Sequence, residues 1–318
     1  MGNQPLVSIV INNYNYGQFL REAIESALNQ TYPNVEVIVV DDGSTDSSRD
    51  VIEEYALLGK VVPVYKENGG QASAFNAGFG LAKGTWIFLL DSDDWFFAEK
   101  VERVLDALLR FPEAGWLVHP LIWRFANGSE RLAIRYPRTA VYDFRQTMRA
   151  KGKLGAHFSA TSGLIFSRQV LDKILPVPES LRITADNYLK FAAAAVSPVL
   201  LFKEPLAVQR IHEHNAYTLR KNTLVTINLH LEIARHLSKR LPGLEKFTFR
   251  LGSRQVALAI KNGLYREAWN AAQQTALFSN QQALFVWTRA LLLLPKLFLE
   301  EMRSVRISVS SRRRGETF

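Results

Sequence analysis

The chain has 318 residues, of which 47% are hydrophobic and 22% charged, so it can bury the cores of one large or two modest domains and is not disordered. Its lack of cysteine excludes a disulfide scaffold, a thiolate zinc site and a cysteine nucleophile, and it favours a reducing cytoplasm. We expect no signal peptide, because the apolar run at residues 7–11 is too short for one. The net charge of +9 favours anionic partners, and five arginines lie within residues 303–314.

The first hundred residues alternate between strand-like and helix-like patterns. Apolar runs of strand length occur at residues 7–11, 35–40, 61–65 and 86–90. Apolar residues at helical spacing lie between them, at residues 19–28, 51–56 and 71–82. This alternation predicts an α/β fold with a mostly parallel central sheet flanked by helices. Because the strand-like runs are apolar throughout, we expect these strands to be buried on both sides.

The pattern changes twice further along the chain. Residues 98–219 are less regular and richer in aromatic side chains, and we interpret them as the rest of the first domain. Residues 220–318 consist mainly of long helical patterns, with a helix pair interrupted near Gly263. We therefore expect one domain over residues 1–219, followed by a helical C-terminal extension.

Polar motifs follow each of the four predicted strands. They are Asn12–Asn15, Asp41–Ser44, Asn68–Gly70 and Asp91–Asp94. Open α/β sheets bind ligands at the carboxyl ends of their strands, so we expect these four loops to converge on one crevice.

The motif Asp91-Ser92-Asp93-Asp94 places three carboxylates within four residues. They would repel one another unless a positive group lay among them, and a divalent cation shared with a diphosphate would supply it. The alternatives are a solvated acidic turn or, for Asp94, the N-cap of a helix expected over residues 98–110.

Two further strand-end motifs are consistent with nucleotide binding. Asp41 and Asp42 could hydrogen-bond a nucleobase or ribose, or could belong to a tight turn at Gly43. Gly69 and Gly70 would let the backbone approach an anion at the start of the next helix. The glycine-rich dinucleotide motif and the P-loop motif do not occur, so those two classes lose their main support.

Together, four linked motifs resemble the nucleotide-binding half of family 2 glycosyltransferases in order, spacing and strand context. They are the runs 7–15 (VSIVINNYN), 39–46 (VVDDGSTD), 68–78 (NGGQASAFNAG) and 88–94 (FLLDSDD). One departure is Asn12, which stands where many members carry proline.

This resemblance implies a GT-A fold, a nucleotide-sugar donor and inversion at the anomeric carbon. Residues 1–97 would bind the donor and residues 98–219 the acceptor, with Asp41 or Asp42 holding the base and ribose. The other donor-binding residues would be Asn13, Asn15, Asn68, Gln71, Asn76, Asp91 and Arg210. A UDP-sugar is the favoured donor, and the acceptor would be a glycan or lipid-linked glycan of cell-surface polysaccharide synthesis.

A divalent cation, Mn²⁺ or Mg²⁺, is also implied by the resemblance. Asp91 and Asp93 would form its metal-binding pair, with Asp93 as the direct ligand. The segment Arg210-Ile211-His212 resembles one that closes over the diphosphate, where His212 would complete the metal shell. Without the resemblance, His212 and His214 would be interpreted as surface residues.

An inverting transfer needs a general base for the attacking hydroxyl. The run 183–189 (ITADNYL) resembles the segment in which related enzymes carry this carboxylate, with Asp186 in the base position. Family members often carry glutamate just before it, where this chain has Ala185. The alternative is that Asp186 only stabilises the N-terminus of the following helix.

The C-terminal residues combine an apolar run with a basic segment. Residues 283–299 are apolar but interrupted by Arg289, and they fall short of the roughly 20 residues that a spanning helix needs. With the arginines of 303–314, they could bind an anionic membrane surface, which would place a cytoplasmic protein at the inner face of the membrane. The alternative is a packed helix followed by a basic tail.

Two rival functions remain open. A nucleotidyltransferase should carry a glycine-rich basic loop after the first strand, and residues 12–17 do not have this character. A catalytically silent nucleotide-sugar-binding protein should lack acidic site residues, yet Asp91, Asp93 and Asp186 are present. We expect no nucleic-acid partner, because the basic cluster is confined to the tail.

Overall fold

The computed structural model describes residues 4–213, 215, 222–279 and 281–295. These residues group into two compact units. The first comprises the described residues of 1–146 and 154–220, and the second those of 147–153 and 221–318.

The first unit opens with regularly alternating strands and helices. In chain order they are β1 (Val7–Asn13), α1 (Gly17–Leu28), β2 (Val35–Asp41), α2 (Ser48–Leu57), β3 (Val62–Tyr65), α3 (Gln71–Leu81), β4 (Trp86–Asp91), β5 (Trp95–Phe96) and α4 (Lys100–Arg110).

Shorter elements follow. They are β6 (Trp116–Val118), β7 (Ile122–Phe125), β8 (Glu130–Leu132), β9 (Ala140–Tyr142), α5 (Arg145–Lys151), a 3₁₀ turn (Thr161–Gly163), β10 (Leu164–Ser167), α6 (Arg168–Ile174), α7 (Asp186–Val196), β11 (Val199–Leu201) and β12 (Ala207–Ile211).

Eight strands form the main sheet, in the order β3-β2-β1-β4-β10-β6-β11-β9. The pairs β3–β2, β2–β1, β1–β4 and β6–β11 are parallel, whereas β10 runs antiparallel to both of its neighbours and β9 antiparallel to β11. The predicted mostly parallel sheet is therefore confirmed. A second sheet, in the order β5-β12-β7-β8, was not predicted, because its strands of two to five residues are too short to show a period.

Alternation of side chains along β1 explains how helices cover both faces of the sheet. Val7, Ile9 and Ile11 belong to a core that also contains side chains of α1, α2 and α4. Val10 points to the opposite face, where α3 passes so closely that only a glycine, Gly78, fits against it. This two-sided burial holds β1 at the centre of the sheet.

The predicted strands and helices of the first hundred residues are present, with ends that differ by one or a few residues. The expectation of burial on both sides is confirmed for β1, β2 and β4, which are buried along most of their length. It is wrong for β3, whose residues are exposed or half-buried. β3 is the edge strand, so neighbouring elements cover it less completely.

The described residues of the second unit comprise residues 147–151 of α5 and four further helices. These four are α8 (Thr223–Arg240), α9 (Glu245–Lys261), α10 (Tyr265–Ser279) and α11 (Ala283–Leu291). The predicted break near Gly263 is confirmed, and this glycine has a φ of 72°, a conformation that favours a residue without a side chain. No helix in the described part of the chain is long and apolar enough to cross a membrane. The basic segment 303–314 and the end of the apolar run lie outside the described residues.

Two glycines of α3 allow a matched test of the packing between α3 and β1. A Cβ atom at Gly78 would lie 2.4 Å from Cγ1 of Val10, whereas one at Gly80 would meet nothing within 4 Å. We expect Gly78→Ala to lower the free energy of unfolding by about 1–3 kcal/mol through overpacking. Gly80→Ala should raise it by roughly 0.5–1 kcal/mol, because alanine is the better helix former. Urea unfolding followed by circular dichroism measures both, and equal stabilities would contradict the described packing.

Candidate active site

The parallel register brings the polar strand ends together. Asn12 at the end of β1 lies opposite Asp91 of β4, and Asn13 lies opposite Asp41 of β2. The side-chain amide of Asn12 donates to Oδ1 of Asp91 at 2.8 Å, and that of Asn13 donates to Oδ1 of Asp41 at 3.2 Å. Adjacent asparagines therefore connect the central strand to an aspartate on each side.

Asp41 is fully buried and accepts several hydrogen bonds from its own loop. Besides Asn13, its donors are the backbone N–H of Ser44 at 3.2 Å and Nε of Arg49 at 3.1 Å. The carboxylate thus closes the turn after β2, as the tight-turn interpretation predicted.

Asp42 holds the loop that follows β3. Its carboxylate accepts the backbone N–H groups of Gly69 at 2.9 Å and Gly70 at 2.7 Å, and the ammonium of Lys66 lies 2.7 Å away. Short hydrogen bonds to a charged carboxylate are strong, so this loop is held firmly. Both oxygens of Asp42 are therefore used within the protein.

A pocket of about 570 Å³ opens beside these two aspartates. It is lined by Gly43, Ser44, Thr45, Arg49, Tyr65, Lys66, Glu67 and Asn68. The guanidinium of Arg49 lies 5.7 Å from the ring centroid of Tyr65. Burial and a hydrogen bond to Glu53 raise the pKa of Tyr65 to about 12, so its phenol is neutral near pH 7. The pocket thus combines an aromatic ring with two cationic side chains.

Three of the predicted donor-binding amides connect loops at this edge of the sheet. Asn15 accepts the backbone N–H of Thr45 at 2.8 Å, and Asn68 donates to the carbonyl of Asp42 at 3.0 Å while accepting from Arg182. Gln71 accepts the backbone N–H of Ala185 at 2.8 Å. These side chains hold the loops that surround the pocket.

Asn76 is placed differently from the other predicted donor-binding residues. Its amide donates to the carbonyl of Val177 at 2.8 Å and accepts the N–H of the same residue, also at 2.8 Å. Both amide atoms of Asn76 therefore bind the loop after α6.

The carboxylate of Asp91 carries the most informative electrostatic feature of the site. Its pKa is raised to about 7, first by removal from water and then by the negative charges of Asp93 and Asp186. The hydrogen bonds from Asn12 and Thr161 act in the opposite direction. Asp186, which is far from Asp91 and Asp93 in the sequence, therefore lies within electrostatic reach of Asp91.

Asp93 binds the segment after β12. Its Oδ2 lies 3.0 Å from Nε2 of His212 and accepts the side-chain amide of Asn215 at 2.9 Å. Asn215 also accepts the backbone N–H of His212 at 2.7 Å, so one asparagine orients both partners. Asp93 and His212, both predicted as ligands of a metal ion, are thus in direct contact with each other.

Arg210 is fixed by contacts on several sides. Its Nε donates to the carbonyl of Asp93 at 3.2 Å, and its guanidinium pairs with Glu22. The guanidinium also lies 4.7 Å from the ring centroid of Phe19 and 4.8 Å from that of Trp95. The positive charge of Arg210 therefore lies at the edge of the acidic motif Asp91–Asp94.

Asp94 has a structural role that corrects both alternatives considered for it. It is buried, so it is not part of a solvated turn, and the N-cap of α4 is Glu99. Its carboxylate accepts the hydroxyl of Ser162 at 2.6 Å and the backbone N–H of Arg210 at 3.0 Å. Burial, followed by the charges of Asp93 and Asp91, raises its pKa well above the ordinary value. Asp94 thereby ties β4 to the 3₁₀ turn and to β12.

The fit of a metal ion depends on the carboxylates. Among the described residues, no group of three or more His, Cys, Asp or Glu side chains is arranged to hold one. However, removal from water and then the negative charge of Asp93 raise the pKa of Asp91, so a positive charge beside this pair would be favourable. Their oxygens match the preference of Mg²⁺ and Mn²⁺, which usually take remaining ligands from water or phosphate. The two residues therefore fit a cation that is shared with a substrate.

Asp186 is the first residue of α7 and is buried. Its Oδ2 lies 2.7 Å from Nζ of Lys190, one helical turn further along. The backbone just before it is unusual, since Thr184 has a φ of 48°. The hydrogen bond from Ala185 to Gln71 holds this segment against the start of α3. Asp186 is thus placed near Asp91 by contacts from outside its own helix.

Sequence reasoning missed several residues of the site. They are Arg49, Lys66, Ser162, Arg182, Lys190 and Asn215. Two of them had a local signal: Lys190 follows Asp186 at helical spacing, and Asn215 follows His212 at the distance of a tight turn. The others act across long sequence separations, which no local pattern reports.

Comparison with solved structures identifies the fold. S. aureus TarS 1–349 in complex with UDP-GlcNAc superposes with a TM-score of 0.65 at 16% sequence identity, over 98% of this chain and 93% of that one. A mannosyltransferase from Pyrobaculum calidifontis in complex with GDP-Man and Mn²⁺ superposes with a TM-score of 0.51 at 19% identity, over 92% and 88%. The fold is therefore that of the GT-A glycosyltransferases.

The family follows from sequence comparison. The model of Glycosyl transferase family 2 matches residues 8–175, which is more than half of the chain, and the chain belongs to this family. An uncharacterised glycosyltransferase of Nostoc sp. is 35% identical over 66% of this chain and 66% of its own length. Another from Rickettsia typhi is 34% identical over 69% and 68%. The matched part of the chain thus spans about two thirds of the length of these curated relatives.

Proposed function

We propose that this chain is an inverting glycosyltransferase that moves a sugar from a nucleotide-diphosphate donor to an acceptor hydroxyl. The observation that carries the proposal is the grouping of Asp93 and Asp186 within electrostatic reach of Asp91, at the edge of the sheet where the pocket beside Asp41 and Asp42 also opens. A site for donor phosphates and a separate carboxylate for proton removal are the two features that such a transfer needs.

The nucleobase of the donor would enter the pocket beside Asp41 and Asp42. Tyr65 offers its ring and Arg49 and Lys66 offer positive charge for the nucleotide. Because Asp41 and Asp42 are engaged by their own loops, they would shape this pocket and meet the base or ribose only at its wall. A UDP-sugar is our favoured donor, and the complexes of TarS with UDP and UDP-GlcNAc support this choice.

A divalent cation, Mn²⁺ or Mg²⁺, would be held by Asp91 and Asp93, with His212 beside them. When bound, it would neutralise charge on the diphosphate leaving group. The mannosyltransferase neighbour in complex with Mn²⁺ supports this proposal. Arg210 would add a second positive charge at the same edge, because its Nε donates to the carbonyl of Asp93.

Asp186 would be the general base. It would take the proton of the acceptor hydroxyl while the acceptor oxygen bonds to the anomeric carbon and the nucleoside diphosphate departs from the opposite face. The transition state would have oxocarbenium character, as in glycoside hydrolysis. The presence of Asp93 and Asp186 in one site favours this enzyme over a silent nucleotide-sugar-binding protein.

The acceptor would be a glycan or lipid-linked glycan of cell-surface polysaccharide synthesis, used at the cytoplasmic face of the membrane. Support comes from α11, on which Leu284 and Phe285 are 64% and 52% exposed. In the sequence, the arginines of residues 303–314 follow this helix. An apolar face beside basic residues suits an anionic membrane surface.

Donor hydrolysis by the purified chain tests the donor and metal proposals. We expect slow release of nucleotide from one member of a UDP-, GDP- and dTDP-sugar panel, dependent on Mn²⁺ or Mg²⁺. Asp93→Ala should lower this rate at least about 100-fold, because the leaving-group charge is no longer neutralised. Asp106→Ala, which removes an exposed carboxylate of α4, is the matched control and should have no effect. Hydrolysis that is equally fast in EDTA would contradict the metal proposal.

The base is tested separately, with water taking the place of the acceptor. Asp186→Asn should reduce kcat for donor hydrolysis by about 100-fold to 10,000-fold, while calorimetry shows UDP binding unchanged. Asp172→Asn, at an exposed position of α6, should behave as the unmodified chain. Full activity of a folded Asp186→Asn variant would exclude Asp186 as the base.

Membrane binding is tested by flotation with lipid vesicles. We expect binding to phosphatidylglycerol vesicles and little binding to phosphatidylcholine vesicles. The double variant Leu284→Glu and Phe285→Glu should bind at least about tenfold more weakly, because two apolar side chains that would enter the lipid surface are replaced by negatively charged ones. The matched control is Leu57→Glu with Leu58→Glu, a pair at the end of α2 that is at least as exposed, at 80% and 67%. An equal loss of binding in both double variants would contradict docking through α11.

A further inference from the structure

Lys190 is a buried lysine whose position is not explained by the fold alone. It lies on α7, is 7% exposed, and its ammonium contacts two acceptors. Oδ2 of Asp186 is 2.7 Å away, and the carbonyl oxygen of Ser159 is 3.3 Å away. A buried ammonium is costly unless it is paired, so these two contacts determine where the side chain lies.

The pair fixes one oxygen of Asp186 and leaves the other available. Within the described part of the chain, the hydrogen bond to Asp186 Oδ2 comes from Lys190, and none is made to Oδ1. The backbone ahead of Asp186 is held by the hydrogen bond from Ala185 to Gln71. Gln71 thus holds the main chain before Asp186, and Lys190 holds the Asp186 carboxylate.

The second contact of Lys190 leads back to the acidic motif. Ser159 lies two residues before the 3₁₀ turn Thr161–Gly163, and the side chain of Thr161 hydrogen-bonds to Asp91. Lys190 therefore bridges the start of α7 and the segment that contacts Asp91. The negative charge of Asp186 acts on Asp91, so without the ammonium of Lys190 the repulsion between these two carboxylates would be offset less.

We propose that Lys190 is the positioning residue of the general base, holding the carboxylate of Asp186 oriented so that Oδ1 faces the attacking hydroxyl. This inference rests on the proposed function of Asp186. In the transfer, the hydroxyl proton passes to Oδ1 as the new bond to the anomeric carbon forms and the bond to the diphosphate breaks. Lys190 keeps its own proton throughout, so it acts only through Asp186.

A purely stabilising ion pair is the competing explanation. Buried ion pairs contribute little net stability compared with apolar side chains of similar volume, so stability alone does not account for this pair. The two explanations also differ in what they predict. If Lys190 positions Asp186, its substitution should lower kcat alone, and only while Asp186 is present. If Lys190 only stabilises the fold, its substitution should lower both kcat and the affinity for UDP.

The test compares Lys190→Met, Lys190→Arg, Asp186→Asn and the double variant Asp186→Asn with Lys190→Met. The readouts are donor hydrolysis over the UDP-, GDP- and dTDP-sugar panel, and UDP binding by calorimetry. Lys190→Met should lower kcat by about 10-fold to 100-fold with UDP affinity unchanged, since small misplacements of a catalytic group have effects of this size. Lys190→Arg keeps the charge and should recover most of the rate.

The double variant supplies the decisive comparison. If Lys190 acts only through Asp186, adding Lys190→Met to Asp186→Asn should change the residual rate by less than about twofold. This holds even if Lys190→Met alone folds poorly, because the double variant leaves no buried charge unpaired. The proposal would be overturned if the effects of the two substitutions on the rate multiplied in the double variant. It would also be overturned if Lys190→Met lowered the rate and the UDP affinity to a similar extent.

A crystal structure of Lys190→Met separates this inference from the proposed function. We expect the Asp186 carboxylate to turn away from its place, with Oδ1 displaced by more than about 1 Å. An unmoved carboxylate would overturn the positioning role. If no donor is hydrolysed, or Asp186→Asn keeps full activity, the proposed function fails instead, and Lys190 is then not the positioning residue of a base.

Discussion

Crowding of negative charge at the carboxyl end of β4 is the constraint on which the rest of the site depends. Asp91, Asp93 and Asp94 lie within one turn, and Asp186 approaches them from α7. Carboxylates at such distances raise one another's pKa unless they are compensated. The compensation differs for each, since Asp94 is held by hydrogen bonds, Asp186 by an ammonium and Asp93 by an imidazole and an amide. The pKa of Asp94 is nevertheless raised well above its ordinary value and that of Asp91 to about 7, first because both carboxyl groups are removed from water and then because of the neighbouring charges.

The loops around this cluster are fixed before any ligand arrives. Asp42 holds the glycine loop after β3 through two backbone N–H groups, and Gln71 at the end of that loop holds the segment before Asp186. The pocket wall and the segment before Asp186 are thus linked through the start of α3. Such preorganisation is what a site needs if it is to stabilise charge without rearranging during the reaction.

The fold was largely predictable because its signal is local. Apolar runs of strand length, alternating with helical patterns, identified β1 to β4 and α1 to α3, and glycine marked the break between α9 and α10. The short strands β5 to β9 were not identified, because two to four residues carry no usable period. The edge position of β3 was also missed, since neighbour relations in a sheet are not encoded within one strand.

By itself, the sequence determined which residues stand at the strand ends, and hence that the loops after β1, β2 and β4 would converge. This follows from the parallel sheet, whose register aligns the ends of neighbouring strands. Only the tertiary structure decided how each polar side chain is used. Asp42 and Asn76 bind backbone, Asp94 binds Ser162, and Lys190 binds Asp186. A hydrogen bond depends on distances of a few tenths of an ångström between atoms far apart in the chain, and these distances exist only once the loops are packed.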